Sequence, residues 1–428
     1  MGCIIRLLSS LRMQLKGTLG HVLTLMTGTM IAQGLVVLVS PILTRLFSPA
    51  DMGTFSLFTS IIAFLSVLAT GKYELAIVIP ESDREGLQLT VLSLLLVTVF
   101  GIIIMPFLII FHNEVAAALR NPEISLWLMI LPVGLIISCA YNILFYWFNR
   151  QKQYSIISRN RIAQSTSVGI VSIIGGLVAK GPFGLIFGQI VGQLITVIGF
   201  LRFIRKDLYL IGKEITIDSI KVLAKKYKHF PQYLVPSHTI NHVSMHLPTF
   251  LFTIFYGPSM VGFYALTHKV MRTPLTIIAN SIGDVFRQKA AAEYREHGNC
   301  RKFYMRTLLG LIGVAVIPFS TLYFFSTSLF VFVFGPEWEI AGQFSRLMIF
   351  MMFIEFVINP LHNMFIIAGK QKQYLIWQVL LAVVTVSSIL VGHMLFKNVE
   401  TTIFIYSLGY SFAYLINMLW SYKFSLGK

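Results

Sequence analysis

The chain has 428 residues, 56% hydrophobic and only 12% charged, with a mean hydropathy of +0.77. That composition excludes a soluble globular fold and indicates an all-α polytopic membrane protein. The net charge of +17 does not point to nucleic acid, because the bases sit in short loops between apolar segments.

At the N-terminus, residues 1–18 place Arg6, Arg12 and Lys16 among leucines and isoleucines. This pattern predicts an interfacial amphipathic helix rather than a cleaved signal, since no small-residue cleavage site follows. Gly2-Cys3 is not a myristoylation start, because position 6 is Arg. Apolar segments of membrane-spanning length follow at about 19–41, 52–71, 86–111, 124–148, 161–180, 182–203, 234–256, 259–286, 304–326, 343–368, 374–396 and 401–422. The expectation is therefore twelve transmembrane helices. The expected division is 19–205 and 230–425 as two six-helix lobes, joined by a basic linker at 206–229.

Orientation follows from Lys and Arg. With the N-terminus inside, the outer loops hold only Arg45, Arg120, Lys180 and Lys397, while Lys269, Arg272 and Arg346 fall within segments. The rest of the 34 Lys and Arg residues are on the inner side, which predicts that both termini are cytoplasmic. Two short echoes suggest a repeat. Gln151-Lys152-Gln153-Tyr154 recurs as Gln371-Lys372-Gln373-Tyr374, with Phe145 matching Phe365 at the same offset. Pro49, Gly53 and Phe55 match Pro258, Gly262 and Tyr264. Six helices per unit is an even number, so the halves should be parallel repeats about an axis along the membrane normal.

The eighth segment is the most informative. Lys269, Arg272, Thr273, Thr276, Asn280, Asp284 and Arg287 step by three or four and share one helix face. From Lys269 to Arg287 such a helix rises about 27 Å, close to the thickness of a bilayer core. Charges facing lipid cost several kcal/mol, so the stripe should face protein or water. Two readings stand: internal salt bridging, for example Asp284 with Arg287, or the wall of a cavity for an anionic substrate. Glu355, at similar depth in the tenth segment, is a partner for Arg272 or a site for a coupling H⁺ or Na⁺. Lys72 and Glu74, at the inner end of the second segment, are interfacial anchors or part of the same path. Arg45 ends the first segment at the outer face.

His238, His242 and His246 stack on one face of the seventh segment, but no Cys, Asp or Glu stands near them in sequence, so a polar lining is favoured over a metal site. Cys3, Cys139 and Cys300 show neither a disulfide framework nor ligand spacing. Pro231, Pro236 and Pro248 predict bends in that segment. With no phosphate-binding glycine loop, no cofactor is expected, and pumping would draw on an ion gradient or on substrate supply.

Several stretches resemble the polysaccharide-lipid flippases of the multidrug/oligosaccharidyl-lipid/polysaccharide exporter superfamily. They are Ala32-Gln33-Gly34 running to Ser40-Pro41 and Thr44-Arg45, then Pro49 and Gly53, and Tyr73-Glu74-Leu75-Ala76 with Pro80. Further on come Phe230-Pro231, Asn241, Ser244 and Leu247-Pro248, Gly262-Phe263-Tyr264, Lys269-Val270-Met271 with Pro274, and Val285-Phe286 leading into 290–294. Lys72 and Lys269 depart from the family's frequent Arg, keeping the charge and losing the bidentate fork. The resemblance implies an undecaprenyl-pyrophosphate-linked oligosaccharide, an O-antigen or other surface polysaccharide unit of the lipopolysaccharide type, moved across a bacterial inner membrane. It also implies a polysaccharide polymerase as a possible partner. On this view Lys269, Arg272, Arg287, Lys72 and Arg45, with Asn280 and Thr276, line the substrate path, and Glu74, Asp284 and Glu355 are gate pairs or coupling sites.

Two other classes remain open. A drug/cation antiporter of the same superfamily would want a net acidic cavity, whereas the stripe carries three bases against one acid. A membrane polymerase or glycosyltransferase would want catalytic groups on a sizeable outer loop, and the nearest carboxylates, Glu337 and Glu339, read as a solvated turn.

Overall fold

A computed structural model describes residues 27–211 and 216–427, except the side chains of 206, 207, 210, 211 and 244. The expected amphipathic segment at 1–18 and Lys213 of the linker lie outside these residues. The described chain is built from helices and contains no strand.

The helices are α1 (Thr27–Leu46, the described part), α2 (Pro49–Thr70), α3 (Asp83–Ala118), α4 (Ser125–Arg150), α5 (Tyr154–Val178), α6 (Phe183–Ile211), α7 (Ile217–Lys226) and α8 (Val235–Tyr256). They continue as α9 (Pro258–His297), α10 (Arg301–Phe334), α11 (Glu339–Ile358), the single turn α12 (Met364–Ile367), α13 (Gln371–Phe396) and α14 (Val399–Ser425). Ten described helices are long and apolar enough to cross a membrane, which makes this a multi-pass membrane protein.

The expected count was twelve. The other two expected segments form the helices α8 and α9, which carry several polar residues and are not among those ten. In α8 the polar residues His238, Asn241, His242 and His246 dilute the apolar ones. In α9 the Lys269–Arg287 stripe dilutes the apolar residues. Of the expected proline bends, Pro231 sits in a π-helical turn at Phe230–Leu234 ahead of α8. Pro236 falls in the first turn of α8, directly after that π-helical turn, and the helix continues through Pro248.

The chain divides into two compact units. The first comprises residues up to Leu46, Ile61–Val115 and Glu123–Pro236. Its tightest packing is between α5 and α6, where Gly175 lies against Gly184 and a side chain on Gly188 would strike Ser172. Without water to drive association, such small residues let backbones approach and gain dispersion contacts. Arg150, at the end of α4, ties down the loop between α2 and α3. Its guanidinium is 3.0 Å from Asp83 and donates to the carbonyls of Ile77, Pro80 and Glu81. The amphipathic α7 rests on the start of α3 through Lys226–Glu85 at 2.9 Å and Gln88–Ser219 at 3.1 Å. Glu85 accepts from the Lys226 ammonium and holds its pKa above the usual lysine value.

The second unit comprises Phe47–Ser60, Ala116–Pro122 and everything from Ser237. At its centre is α11, packed on α9, α10 and α14, with Phe344, Met348 and Met352 buried. Trp338 is fully buried with its ring 5.7 Å from Phe263. α9 is delimited by its sequence. Gly257, at φ +83°, precedes Pro258 in the first turn, and Gly298, at φ +70°, closes the last turn by donating its N–H to the Tyr294 carbonyl.

Candidate functional site

In the second unit, one face of α9 meets α11 and α14. Arg272 reaches α11 and places Nη2 at 2.6 Å from Glu355 Oε1. Glu355 is buried, with 7% of its surface exposed, so the pair is a charge-assisted bond in a low-dielectric setting. The other arm, Nη1, lies 3.1 Å from His268 Nε2. An arginine can only donate, so Nε2 accepts, and His268 is a neutral imidazole with its proton on Nδ1.

Beside this triad lies a cavity of about 100 Å³. Three tyrosines of α14, Tyr406, Tyr410 and Tyr414, form one wall. They repeat every four residues, so they stack along one helix face. The Tyr410 and Tyr414 rings are 4.9 Å apart and their hydroxyls 3.3 Å. Tyr374, Trp377 and Gln378 of α13 line it as well, together with Asn241, Met245, Asn359 and His362. The Trp377 indole N–H is engaged, donating to the Ala413 carbonyl at 2.8 Å.

The rest of the α9 stripe separates into different environments. Lys269 is exposed, and no described side chain pairs with its ammonium. Thr276 lines a small cleft with Arg272 and Glu355, but its hydroxyl donates to the Thr273 carbonyl at 2.9 Å. Asn280 is exposed. Asp284 and Arg287 are both exposed and pair with each other at 3.4 Å, the internal bridge that their spacing allowed.

In the first unit, Lys72 adopts left-handed backbone angles, φ 60° and ψ 17°, where the chain turns from α2 into the short helix Tyr73–Val78. Lys72 and Glu74 are both buried and lie 3.4 Å apart. Glu74 Oε2 is buried with no hydrogen-bond partner among the described residues. The Tyr73 hydroxyl donates to the Ala224 carbonyl at 3.0 Å, tying this turn to α7. Arg45 is exposed near the end of α1.

The structure therefore brings Arg272 and Glu355 together, places Lys269 on the same face of α9, and puts Lys72 with Glu74 in the other unit. His242 and His246 stack at 5.7 Å, and His246 Nδ1 meets Ser60 at 3.2 Å. No group of three potential metal ligands occurs among the described residues. Sequence reasoning missed His268 and the α14 tyrosines. Their signal was the spacing Tyr406, Tyr410, Tyr414, which passes for core packing in an apolar helix.

No curated protein sequence matches the chain closely enough to show a relative. The fold is that of solved transporters with little sequence in common. An inward-facing multidrug resistance transporter of the MATE family and MOP superfamily aligns at a TM-score of 0.70 and 16% identity, covering 91% of this chain and 93% of that one. The lipid II flippase MurJ, in an inward closed conformation, aligns at 0.65 and 12%, covering 93% and 86%. A MOP superfamily transporter from Pyrococcus furiosus, titled for the reversed polarity of its binding pocket, aligns at 0.60 and 14%, covering 93% of each. A family model described as polysaccharide biosynthesis protein matches residues 42–343, well over half of the sequence. The chain belongs to that family of polysaccharide biosynthesis proteins.

Proposed function

We propose that the protein is a flippase that moves an undecaprenyl-pyrophosphate-linked oligosaccharide, an O-antigen or other surface-polysaccharide unit, from the cytoplasmic to the periplasmic leaflet of a bacterial inner membrane. The carrying observation is the contrast along α9. Arg272 is neutralised by Glu355 at 2.6 Å, whereas Lys269, three residues away, is exposed with no described partner. An unpaired ammonium on a membrane helix is costly unless water or an anion meets it, and a pyrophosphate supplies that anion. Membership of a polysaccharide biosynthesis family and the fold shared with a lipid II flippase support the lipid-linked glycan as cargo.

On this reading the protein works by alternating access of two lobes, 19–205 and 230–425, with both termini cytoplasmic and an H⁺ or Na⁺ gradient as the driving force. Arg287, Arg45, Lys72, Asn280 and Thr276 extend the polar path, and Glu74, Asp284 and Glu355 serve as gate pairs or coupling sites. A polysaccharide polymerase is the expected receiver of the product.

The test is transport in proteoliposomes loaded with a defined lipid-linked oligosaccharide, read as its appearance in the opposite leaflet. Transport that rises with an imposed ion gradient and disappears in Lys269→Ala supports the reading. Transport of cationic drugs with no movement of the lipid-linked sugar overturns it in favour of an antiporter.

A further inference from the structure

We propose that the cavity between α9, α13 and α14 is a subsite for one uncharged sugar ring, the residue next to the pyrophosphate of the cargo. The proposal rests on the flippase reading above. Its first support is charge. Among the described residues that line the cavity, Arg272 is the only Lys, Arg, Asp or Glu, beside the histidines His268 and His362, and its charge is spent on Glu355 at 2.6 Å. His268 accepts from Arg272 and is neutral. Among the described lining residues, no carboxylate and no unpaired Lys or Arg is therefore offered to a cationic drug or to a phosphate.

The second support is the lining. Asn241, Asn359 and Gln378 bring amides that both donate and accept, and Tyr406, Tyr410 and Tyr414 bring hydroxyls that do the same. Neighbouring side chains meet part of this capacity, as where Tyr410 donates to Tyr414, and an acyl chain would leave the remainder unpaired, at a cost that disfavours it. Aromatic surface lies between these polar groups. Trp377 has its N–H already bonded to Ala413, so toward the cavity it acts as an apolar surface. A sugar ring carries both matching features, hydroxyls around its edge and C–H groups on its faces.

The third support is size and position. A buried water needs about 10–15 Å³ on the same measure, so a cavity of about 100 Å³ holds several waters, the scale of one ring and not of an oligosaccharide. Arg272 on its wall stands one turn along α9 from Lys269, at i,i+3 on one helix face. An anion at the lysine would therefore leave the first sugar within reach of the cavity.

The experiment uses the full chain in lipid nanodiscs. Farnesyl pyrophosphate is titrated against its conjugates with single neutral sugars, namely glucose, galactose and N-acetylglucosamine, in the wild type, Tyr410→Phe, Gln378→Ala and Lys269→Ala. The expected result is that at least one conjugate binds the wild type about tenfold tighter than bare farnesyl pyrophosphate. Tyr410→Phe and Gln378→Ala should remove most of that ratio while leaving the Kd of farnesyl pyrophosphate unchanged. Lys269→Ala should weaken all ligands together. Equal affinity for every conjugate and the bare pyrophosphate, or a ratio unmoved by both pocket variants, overturns the sugar subsite and leaves the flippase reading standing. If the wild type binds none of these ligands, the flippase reading falls and the subsite with it.

Discussion

Gly53 of α2 and Gly262 of α9 face each other across a reciprocal contact. A Cβ on Gly53 would lie 1.8 Å from the Pro258 carbonyl oxygen, and one on Gly262 would lie 1.8 Å from that of Pro49. The two glycines and two prolines are the residues of the short echo in the sequence. At this crossing each helix presents the same small residue to the other's first turn, so neither backbone can give way alone.

Gly53→Ala and Gly262→Ala should each lower thermal stability in detergent, by about 1–3 kcal/mol, as expected for overpacking against backbone. The double variant should cost less than the sum, because the first methyl already separates the helices. Melting of the purified variants by intrinsic fluorescence checks this. Additive losses would mean that the two sites do not share one contact.

Breaking the Arg272–Glu355 pair on one side strands a buried charge. Arg272→Met and Glu355→Met should each destabilise by about 3–5 kcal/mol, and the double variant by clearly less. A double-mutant cycle on thermal melting measures the difference. Equal losses in the double variant and in the sum of the singles would mean that the two side chains do not stabilise each other.

Lys269 is exposed and bonded to no described side chain, so its removal should cost stability less than about 0.5 kcal/mol. Lys269→Ala should nonetheless lose export of surface polysaccharide at wild-type abundance, and Lys269→Arg should retain it. Cell-surface glycan staining, normalised to membrane protein level, reads both. Normal export from Lys269→Ala would remove the cation from the substrate path.

Lys72 combines an unfavourable left-handed backbone with a buried ion pair. Lys72→Gly relieves the first, worth about 1 kcal/mol, but orphans Glu74, which costs more. The single variant should therefore be less stable than wild type, and adding Glu74→Gln should recover part of the loss. Thermal melting of the single and double variants decides. A stabilised Lys72→Gly would show that the ion pair contributes nothing.

Much of this was legible in the sequence, because a membrane simplifies the code. A run of apolar residues must be a helix where water is absent, so most spans follow from hydropathy alone. The Arg272–Glu355 pair was legible too, since helical rise places both residues at the same depth. Helices α8 and α9 were harder, because the polar residues that make them interesting also lower their hydropathy. The α14 tyrosines were hidden for the opposite reason. In a helix as apolar as Val399–Ser425 an aromatic stripe looks like packing, and only the neighbouring positions of Trp377, Gln378 and Arg272 reveal a cavity wall. The left-handed turn at Lys72 had no signal, since lysine does not favour that conformation. The role of Arg150 came from three carbonyl groups that no side-chain pattern records.

The unbroken length of α9 sets a mechanical ratio. Its 40 residues make a rod of about 60 Å, roughly twice the thickness of a bilayer core. Arg272 sits about a third of the way along, and just beyond it Pro274 removes one backbone donor from the helix interior. A flexure of about 10° at that point sweeps the His297 end through about 6 Å, given the rise per residue. Small adjustments where Arg272 meets Glu355 are thus geared up into large travel at the far tip, with the proline as the compliant joint and the glycine-closed end at Gly298 as the pointer.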